Sequence, residues 1–201
     1  MTLYALHIDA VRRRDPAILM ERMPRRMERA GRFRFEDDRL RCMGAGFLLL
    51  EIAGIPDESV LCFGENEKPF APGFPHFNLS HSGDWVVLAL DDGEVGVDIE
   101  GLSPGNLSVA RRVLTPGELR WMEEAPLERF HTLWTVKEAV IKATGRGLSL
   151  DMRGFDALPL LRGNSIEVER RRWYAAAGGF EGYRYAVCAT HPVEGIQWKV
   201  L

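Results

Sequence analysis

The segment Gly96–Glu100 carries two carboxylates at a spacing that could bind a cation. In a β-strand, alternate side chains face the same side, so Asp98 and Glu100 would project together while Val97 and Ile99 enter the core. Adjacent carboxylates repel each other unless a proton or a cation lies between them. Hard oxygen ligands without a nearby cysteine favour Mg²⁺ or Mn²⁺ over zinc. The segment predicts a metal site, and a solvated strand end is the alternative.

A second candidate lies on the strongly helical run Leu127–Thr144. Glu138 and Lys142 are four residues apart and would flank each other at the edge of an apolar arc. The alternative to a functional pair is an ordinary helix ion pair, which contributes about 0.3–0.5 kcal/mol. Lys137 falls inside the apolar arc, where its ammonium group must either extend to solvent or meet a buried anion.

The segment Phe77–Trp85 places hydroxyl groups and an imidazole at the end of a predicted strand. Ser80 does not fit a hydrolase nucleophile, because Asn78 and Ser82 stand where the G-x-S-x-G elbow requires glycine. Contact of Ser80 and His81 with an anion fits these residue types better. A histidine satisfied by its neighbours is the alternative.

The elements around these residues predict an α+β fold with antiparallel sheets and packed helices. A first strand is expected at Leu3–Asp9, and a helix capped by Asp37 or Asp38 is expected to run through Leu50. Further strands are expected at 77–79, 85–90, 95–100, 165–170, 183–190 and 196–201. A hairpin turn is expected at 91–93, a capping box at 115–118 and a helix end at Gly145. Both halves combine helix and strand, which predicts two similar lobes, 1–101 and 102–201, with a cleft between them.

Composition limits the class of protein. The 201 residues contain 26 Lys plus Arg and 29 Asp plus Glu, a net charge of −3, which argues against a protein dominated by a nucleic-acid-binding surface. No apolar run approaches the roughly 18 residues that a membrane span needs. The basic N-terminal cluster follows an apolar stretch, the reverse of a secretory signal. The cysteines at 42, 62 and 188 form no metal or disulfide motif. A cytoplasmic protein with reduced thiols is expected.

Arginines are concentrated between residues 12 and 41. Such a run is either a solvated helix face or an anion site, because guanidinium forks suit phosphates. The arginines of this region are Arg12, Arg13, Arg14, Arg22, Arg25, Arg26, Arg29, Arg32, Arg34, Arg39 and Arg41.

Three blocks taken together, PHFNLSHSGDW, GVDIE and LWTVKEAVIKATGRGL, resemble in order and spacing the Sfp-type 4′-phosphopantetheinyl transferases. The resemblance is strong from about Lys68 to Ser149 and fainter over Arg25–Gly46. It implies two α+β lobes related by a pseudo-twofold axis, with the site between them. The implied reaction moves the phosphopantetheine arm of coenzyme A to a serine of an apo acyl or peptidyl carrier protein, and it releases adenosine 3′,5′-bisphosphate.

The resemblance also implies roles for individual residues. Asp98, Glu100 and Glu138 would bind Mg²⁺, with Mn²⁺ as the alternative ion, and Glu138 would also be the base for the carrier serine. Lys142 would stabilise or protonate the leaving phosphate. The remaining implied contacts with coenzyme A are those of Arg26, Arg29, Arg41, Lys68, Ser80, His81 and Lys137. His81 is also implied to be a catalytic residue, together with Glu138 and Lys142. The basic N-terminal region could serve the coenzyme, the carrier or both, and the identity of the carrier stays open.

Three other functions stay open at this point: a coenzyme A-binding module without transfer activity, a metal-dependent phosphohydrolase, and an α+β adaptor that docks through its arginines. The first would be expected to lack one of the carboxylates or the lysine, yet Asp98, Glu100, Glu138 and Lys142 are all present. A chain that forms its cleft from its own two lobes is expected to act as a monomer.

Overall fold

The computed structural model describes residues 1–64 and 66–201, except for the side chain of Leu148. Numbered along the chain, the strands are β1 (Thr2–His7), β2 (Cys62–Phe63), β3 (Pro69–Phe70), β4 (His76–Ser82), β5 (Trp85–Asp91), β6 (Val95–Gly101), β7 (Ile166–Val168), β8 (Arg171–Phe180), β9 (Tyr183–Ala189) and β10 (Gln197–Val200). The α-helices are α1 (Ile8–Arg12), α2 (Ala17–Arg22), α3 (Pro24–Gly31), α4 (Glu36–Glu51), α5 (Ala110–Val113), α6 (Pro116–Met122), α7 (Pro126–Thr144) and α8 (Leu158–Leu161).

Within the described residues, the longer strands form two four-stranded sheets. The first has the order β10-β1-β5-β4 and the second has the order β6-β9-β8-β7. All pairings are antiparallel except that of β10 with β1, which is parallel. Helix α4 packs into the core of the first sheet and α7 into that of the second, while a third apolar cluster joins the two sheets. The predicted α+β class with antiparallel sheets and packed helices is confirmed.

The predicted hairpin at residues 91–93 is wrong. β5 pairs with β1 and β4 in the first sheet, whereas β6 pairs with β9 in the second. The turn therefore carries the chain from one sheet to the other. The last strand, β10, returns to the first sheet beside β1. The division into lobes 1–101 and 102–201 stays a prediction, and the strand pairing shows that each half contributes one strand to the other half's sheet.

The capping residues in the sequence predict the start of α6 and the end of α7 correctly. Thr115 and Glu118 form the predicted capping box at the start of α6, and Gly145 ends α7 in the left-handed conformation at φ 69°. The N-cap of α4 is Phe35 rather than Asp37 or Asp38, which lie in the first turn, where their charges favour the positive end of the helix dipole. Of the helices in the described residues, not one combines the length and apolarity that crossing a lipid bilayer demands.

Gly96 lets α7 lie directly against β6. A Cβ atom added at Gly96 would lie 2.1 Å from the carbonyl oxygen of Ala139 and 2.4 Å from the backbone nitrogen of Ala143. Both of these atoms belong to the backbone of α7, so a side-chain rotation does not relieve the overlap. Any side chain at Gly96 must push the helix away from the strand.

We expect Gly96→Ala to lower the free energy of unfolding by about 3 kcal/mol, the upper range for overpacking of a core. Urea unfolding measured by circular dichroism gives this value. Gly31→Ala is the matched control, because a Cβ at Gly31 meets no atom within 4 Å. Equal unfolding midpoints for the two variants would contradict the packing argument.

Candidate functional site

The site lies where the edge strands β4 and β6 of the two sheets face each other. Three side chains of β4 accept hydrogen bonds from backbone N–H groups of β6 that would otherwise be unpaired at a sheet edge. The bonds run from Val97 to Asn78 Oδ1 at 2.9 Å, from Ile99 to Ser80 Oγ at 3.4 Å and from Gly101 to Ser82 Oγ at 3.2 Å. Polar residues at a spacing of two thus join the two sheets.

The same hydroxyl groups orient the two carboxylates of β6. Ser80 Oγ donates to Asp98 Oδ1 at 2.8 Å, and Ser82 Oγ donates to Glu100 Oε2 at 2.9 Å. The side chain of Trp134 on α7 also acts on Glu100 and lowers its pKa, against the larger opposite effect of burial. Asp98 and Glu100 therefore project from the strand together, as the alternation of the sequence predicts.

Helix α7 brings Glu138 and Lys142 to these carboxylates. Together with Asp98 and Glu100 they line a cavity of about 410 Å³, which Ser80, His81 and Trp134 also line. Lys142 Nζ donates to Asp98 Oδ1 at 2.6 Å and to Ser80 Oγ at 2.9 Å. The predicted convergence of three carboxylates and one ammonium group from a strand and a helix is present in the structure.

The cluster changes the protonation of its carboxylates. Burial, reinforced by the charges of Asp98 and Glu100, raises the pKa of Glu138 to about 7, although Lys142 acts in the opposite direction. Burial and Asp98 likewise raise the pKa of Glu100. A carboxyl group with a pKa near neutrality is suited to accept a proton from a hydroxyl group.

A second cavity of about 530 Å³ adjoins the acidic cluster, since Glu138 and Lys142 line both spaces. Its other walls are largely apolar and include Leu79, Val113, Ile141, Leu150 and Met152. The joined space provides an acidic end for chemistry and an apolar wall for an extended substrate.

The donor set fits a hard divalent cation. Asp98 is 3% exposed, and its Oδ2 atom is buried without a hydrogen-bond donor in the described part of the chain. Its neighbours Glu100 and Glu138 are also oxygen ligands, which Mg²⁺ prefers. In residues 1–64 and 66–201, however, no group of three His, Cys, Asp or Glu side chains is already arranged as a ligand set. The ammonium group of Lys142 instead compensates part of the charge.

Of the predicted phosphate ligands on the first sheet and its helices, His81 lines the acidic cavity. Partial burial, together with the charges of Arg41, Lys142 and Arg29, lowers the pKa of His81 and favours its neutral form. Arg41 donates to the carbonyl of Gly83 and to Asp38, both at 2.5 Å. The charges of Arg29 and Arg41 thus act on His81, and the contact of these arginines with coenzyme A stays a prediction.

Arg26 lies deeper, on α3. Burial lowers its pKa below the usual range, and its Nε atom is buried without a hydrogen-bond acceptor among the described residues. Its Nη1 atom donates to the carbonyl of Cys42 at 3.4 Å. With Arg25, Arg29 and Phe63 it lines a small cavity of about 140 Å³. A buried guanidinium with a free donor is consistent with the predicted anion contact, which stays a prediction.

Lys68 contacts both β6 and α7 through its ammonium group. Its Nζ atom donates to the carbonyls of Val95 on β6, at 3.0 Å, and Ala143 on α7, at 2.9 Å. Burial lowers the pKa of Lys68 to about 8. Two of its three protons are thus committed to backbone carbonyls, and its predicted contact with the nucleotide stays a prediction.

The prediction that Lys137 reaches the diphosphate is contradicted by its position. Its side chain is fully buried, and its Nζ atom lies 3.0 Å from Glu118 Oε1. It also donates to the carbonyls of Met152 at 2.6 Å and Phe155 at 2.7 Å. The physical reason is that α7 turns this residue away from the cleft and into the protein core, where it meets a buried anion, one of the two alternatives that the sequence left open.

Sequence reasoning missed three contributors to the site. Asn78 and Ser82 were weighed only as departures from a hydrolase motif, although with Ser80 they form a polar series at the spacing of one strand face. No spacing pattern in the sequence singles out Trp134. The alternation of the first two was a usable signal, whereas the contact of Trp134 with Glu100 depends on the packing of α7 on β6.

Carboxylates that can hold a divalent ion, beside an ammonium group, are groups that phosphoryl transfer uses for positioning and charge stabilisation. Residues 94–188 match the model of the 4′-phosphopantetheinyl transferase superfamily. A 4′-phosphopantetheinyl transferase of Bacillus subtilis is 35% identical over 193 residues, covering 86% of this chain and 84% of the relative.

Two further relatives agree. The 4′-phosphopantetheinyl transferase Sfp of Bacillus subtilis strain 168 is 34% identical over 184 residues, covering 84% of this chain and 82% of Sfp. The transferase psf-1 of Bacillus pumilus is 42% identical over 139 residues, covering 64% of this chain and 60% of psf-1. The chain therefore belongs to the 4′-phosphopantetheinyl transferase superfamily, and the resemblance predicted from its three motifs is confirmed.

Proposed function

We propose that this chain transfers the 4′-phosphopantetheine group of coenzyme A to a serine of an apo acyl or peptidyl carrier protein and releases adenosine 3′,5′-bisphosphate. The convergence of Asp98, Glu100, Glu138 and Lys142 at one cleft is the observation that supports this proposal. The family membership supplies the substrate class.

The reaction exchanges one phosphorus–oxygen bond for another. The serine oxygen of the carrier attacks the phosphorus that bears the pantetheine arm, and its proton passes to Glu138. The bond from that phosphorus to the oxygen of the adenosine bisphosphate breaks, and the electron pair leaves with that oxygen. Lys142 neutralises the charge that develops on the leaving phosphate.

Mg²⁺, with Mn²⁺ as the alternative, would be held by Asp98, Glu100 and Glu138, and when bound it would supply positive charge to the diphosphate oxygens. The buried Oδ2 atom of Asp98, which lacks a donor among the described residues, supports this assignment. Ser80 and Ser82 keep the two strand carboxylates in place. Neutral His81, with Arg29 and Arg41 beside it, is positioned to bind a phosphate of the coenzyme.

We also propose an oligomeric state and a cellular location for the protein. Both sheets and the cleft are formed by one chain, which supports a monomer. Cytoplasmic location, with no nucleic acid or membrane as partner, is consistent with the net charge of −3. The pathway of the carrier stays open among fatty-acid, polyketide and nonribosomal-peptide biosynthesis.

The test is incubation with coenzyme A, Mg²⁺ and a panel of apo carrier proteins, followed by intact-mass spectrometry. We expect at least one carrier to gain the mass of one phosphopantetheine group, and a chelator to abolish the gain. Cleavage of coenzyme A without a modified carrier would replace the proposal with a hydrolase. Absence of any coenzyme A binding at millimolar concentration would favour an adaptor.

A further inference from the structure

A fully buried ion pair lies behind the cleft, apart from the acidic cluster. Lys137 and Glu118 are both inaccessible to solvent, with Nζ and Oε1 3.0 Å apart. The three ammonium protons of Lys137 have three acceptors: Glu118 and the carbonyls of Met152 and Phe155. The ammonium group also lies 4.5 Å from the centre of the Phe155 ring.

Glu118 extends the same network to two further backbone groups. Its Oε1 atom accepts a hydrogen bond from Ala157 N–H at 2.7 Å, and its Oε2 atom accepts one from Thr115 N–H at 2.7 Å. The pair thus ties the start of α6, the middle of α7 and the segment 152–157 to one another. A single charge pair fixes three parts of the chain that no strand ladder joins.

Stability alone does not account for this pair. Replacement of a buried ion pair by apolar residues of similar volume is often neutral or stabilising, because burial of two charges costs solvation free energy. What an apolar pair does not provide is a donor for the carbonyls of Met152 and Phe155. The particular effect of the ion pair is therefore to hold in place the segment that carries these two carbonyls.

That segment continues into a wall of the substrate cleft. Leu150, Asp151 and Met152 line the cavity of about 530 Å³, and so does Glu138, which follows Lys137 directly on α7. The helix turns Lys137 toward the back of the wall and Glu138 toward the cleft. Lys137 holds the wall and the adjacent Glu138 is the proposed base, so the helix sets the distance between the wall and the base.

We infer that Lys137 and Glu118 are positioning residues for coenzyme A: they hold the wall Leu150–Met152 where the phosphopantetheine arm lies against it. The inference rests on the proposed function and names residues that touch neither the reacting phosphate nor the metal ligands. The largely apolar wall suits the aliphatic part of the arm, and the carboxylate of Asp151 offers an acceptor for its amide groups.

The test uses the double variant Glu118→Gln/Lys137→Met, because either single change leaves one charge buried without its partner and threatens folding. We expect the variant to fold cooperatively with a lowered unfolding midpoint, because two carbonyls lose their donor, and we expect faster amide hydrogen exchange in the peptide covering 150–157. We expect the Kd for coenzyme A, measured by calorimetry, to rise about tenfold. Turnover at saturating coenzyme should change by less than about threefold, since a wall contributes equally to ground state and transition state.

The control is Glu94→Gln/Arg171→Met, which removes an exposed ion pair beside the second sheet and should leave exchange, Kd and turnover unchanged. Wild-type exchange and Kd in the test variant would overturn the inference. So would a large fall in turnover at unchanged Kd, which would place Lys137 on the reacting phosphate, or a collapse of the unfolding midpoint, which would make the pair a support of the whole lobe. A wild-type protein that binds coenzyme A without modifying any carrier refutes the proposed function, while the Kd comparison still decides the inference.

Discussion

We expect Glu138→Gln to lower the turnover of phosphopantetheine transfer by about a thousandfold, within the range for loss of a general base. The substituted amide keeps the size of the side chain and does not accept the serine proton. It also removes one of the three carboxylates proposed for Mg²⁺. Single-turnover transfer to an apo carrier, followed by intact-mass spectrometry, measures the effect.

The pH dependence identifies the group. Because the pKa of Glu138 is raised to about 7 in the metal-free protein, a growing fraction of this carboxyl group is protonated as the pH falls below neutrality. The base form is the ionised one, so the wild-type rate should fall on the acid side, and the residual rate of Glu138→Gln should lack this limb. Bound Mg²⁺ favours the ionised form, so higher Mg²⁺ should move the limb to lower pH.

The ionised form of Glu138 that the reaction needs is also expected to lower the free energy of unfolding. A carboxyl group whose pKa is raised on folding stabilises the protein below its unfolded pKa, and that contribution is lost as the pH rises through about 7. At pH 8 in the presence of a chelator, Glu138→Gln should therefore be more stable than the wild type, by about 1 kcal/mol. Urea unfolding at pH 5 and pH 8 separates the two states.

Glu128→Gln is the matched control, because Glu128 is an exposed carboxylate of the same helix. It should keep wild-type transfer and show no added stability at pH 8. If Glu138→Gln retained the wild-type rate and acid limb, the proton from the carrier serine would have another acceptor and the role assigned to Glu138 would be wrong.

The two halves of the site were each predictable from local periodicity, and the family resemblance implied that the halves meet. Alternation along β6 places Asp98 and Glu100 on one side, and the helical repeat places Glu138 and Lys142 on one face. The pairing of β6 was not predictable in this way. The turn at 91–93 has hairpin residues, but the partner of β6 is β9, whose first residue is Tyr183. The residue types of a turn indicate that the chain bends there, but they do not indicate which sheet the next strand joins.

Lys137 shows the same limit for a side chain. Its place in the apolar arc of α7 indicated correctly that its charge needed a special solution. Whether that solution was a ligand or a buried anion depended on Glu118 and on two carbonyls of the segment 152–157, which are brought together only by packing. The family resemblance favoured a contact of Lys137 with the diphosphate, whereas in the structure Lys137 pairs with Glu118.

The second large effect is expected from Lys142→Met, which should lower turnover by about a hundredfold or more, as loss of a charge that stabilises the transition state does. The Kd for coenzyme A should change much less, because the leaving phosphate gains charge as the bond breaks and the contact strengthens there. Calorimetry and single-turnover kinetics separate the two quantities.

Lys142→Met also tests the electrostatic balance of the cluster. The ammonium group lies 2.6 Å from Asp98 Oδ1 and lowers the pKa of Glu138 against the combined effect of burial and two carboxylates. Without it, that pKa should rise further above 7, so the acid limb of the residual activity should move to higher pH. Lys199→Met removes an exposed ammonium group of β10 and should alter neither turnover nor the limb. A loss of turnover with an unshifted limb would mean that Lys142 acts on the leaving phosphate alone, whereas a shifted limb ties the charge of this lysine to the protonation of the base.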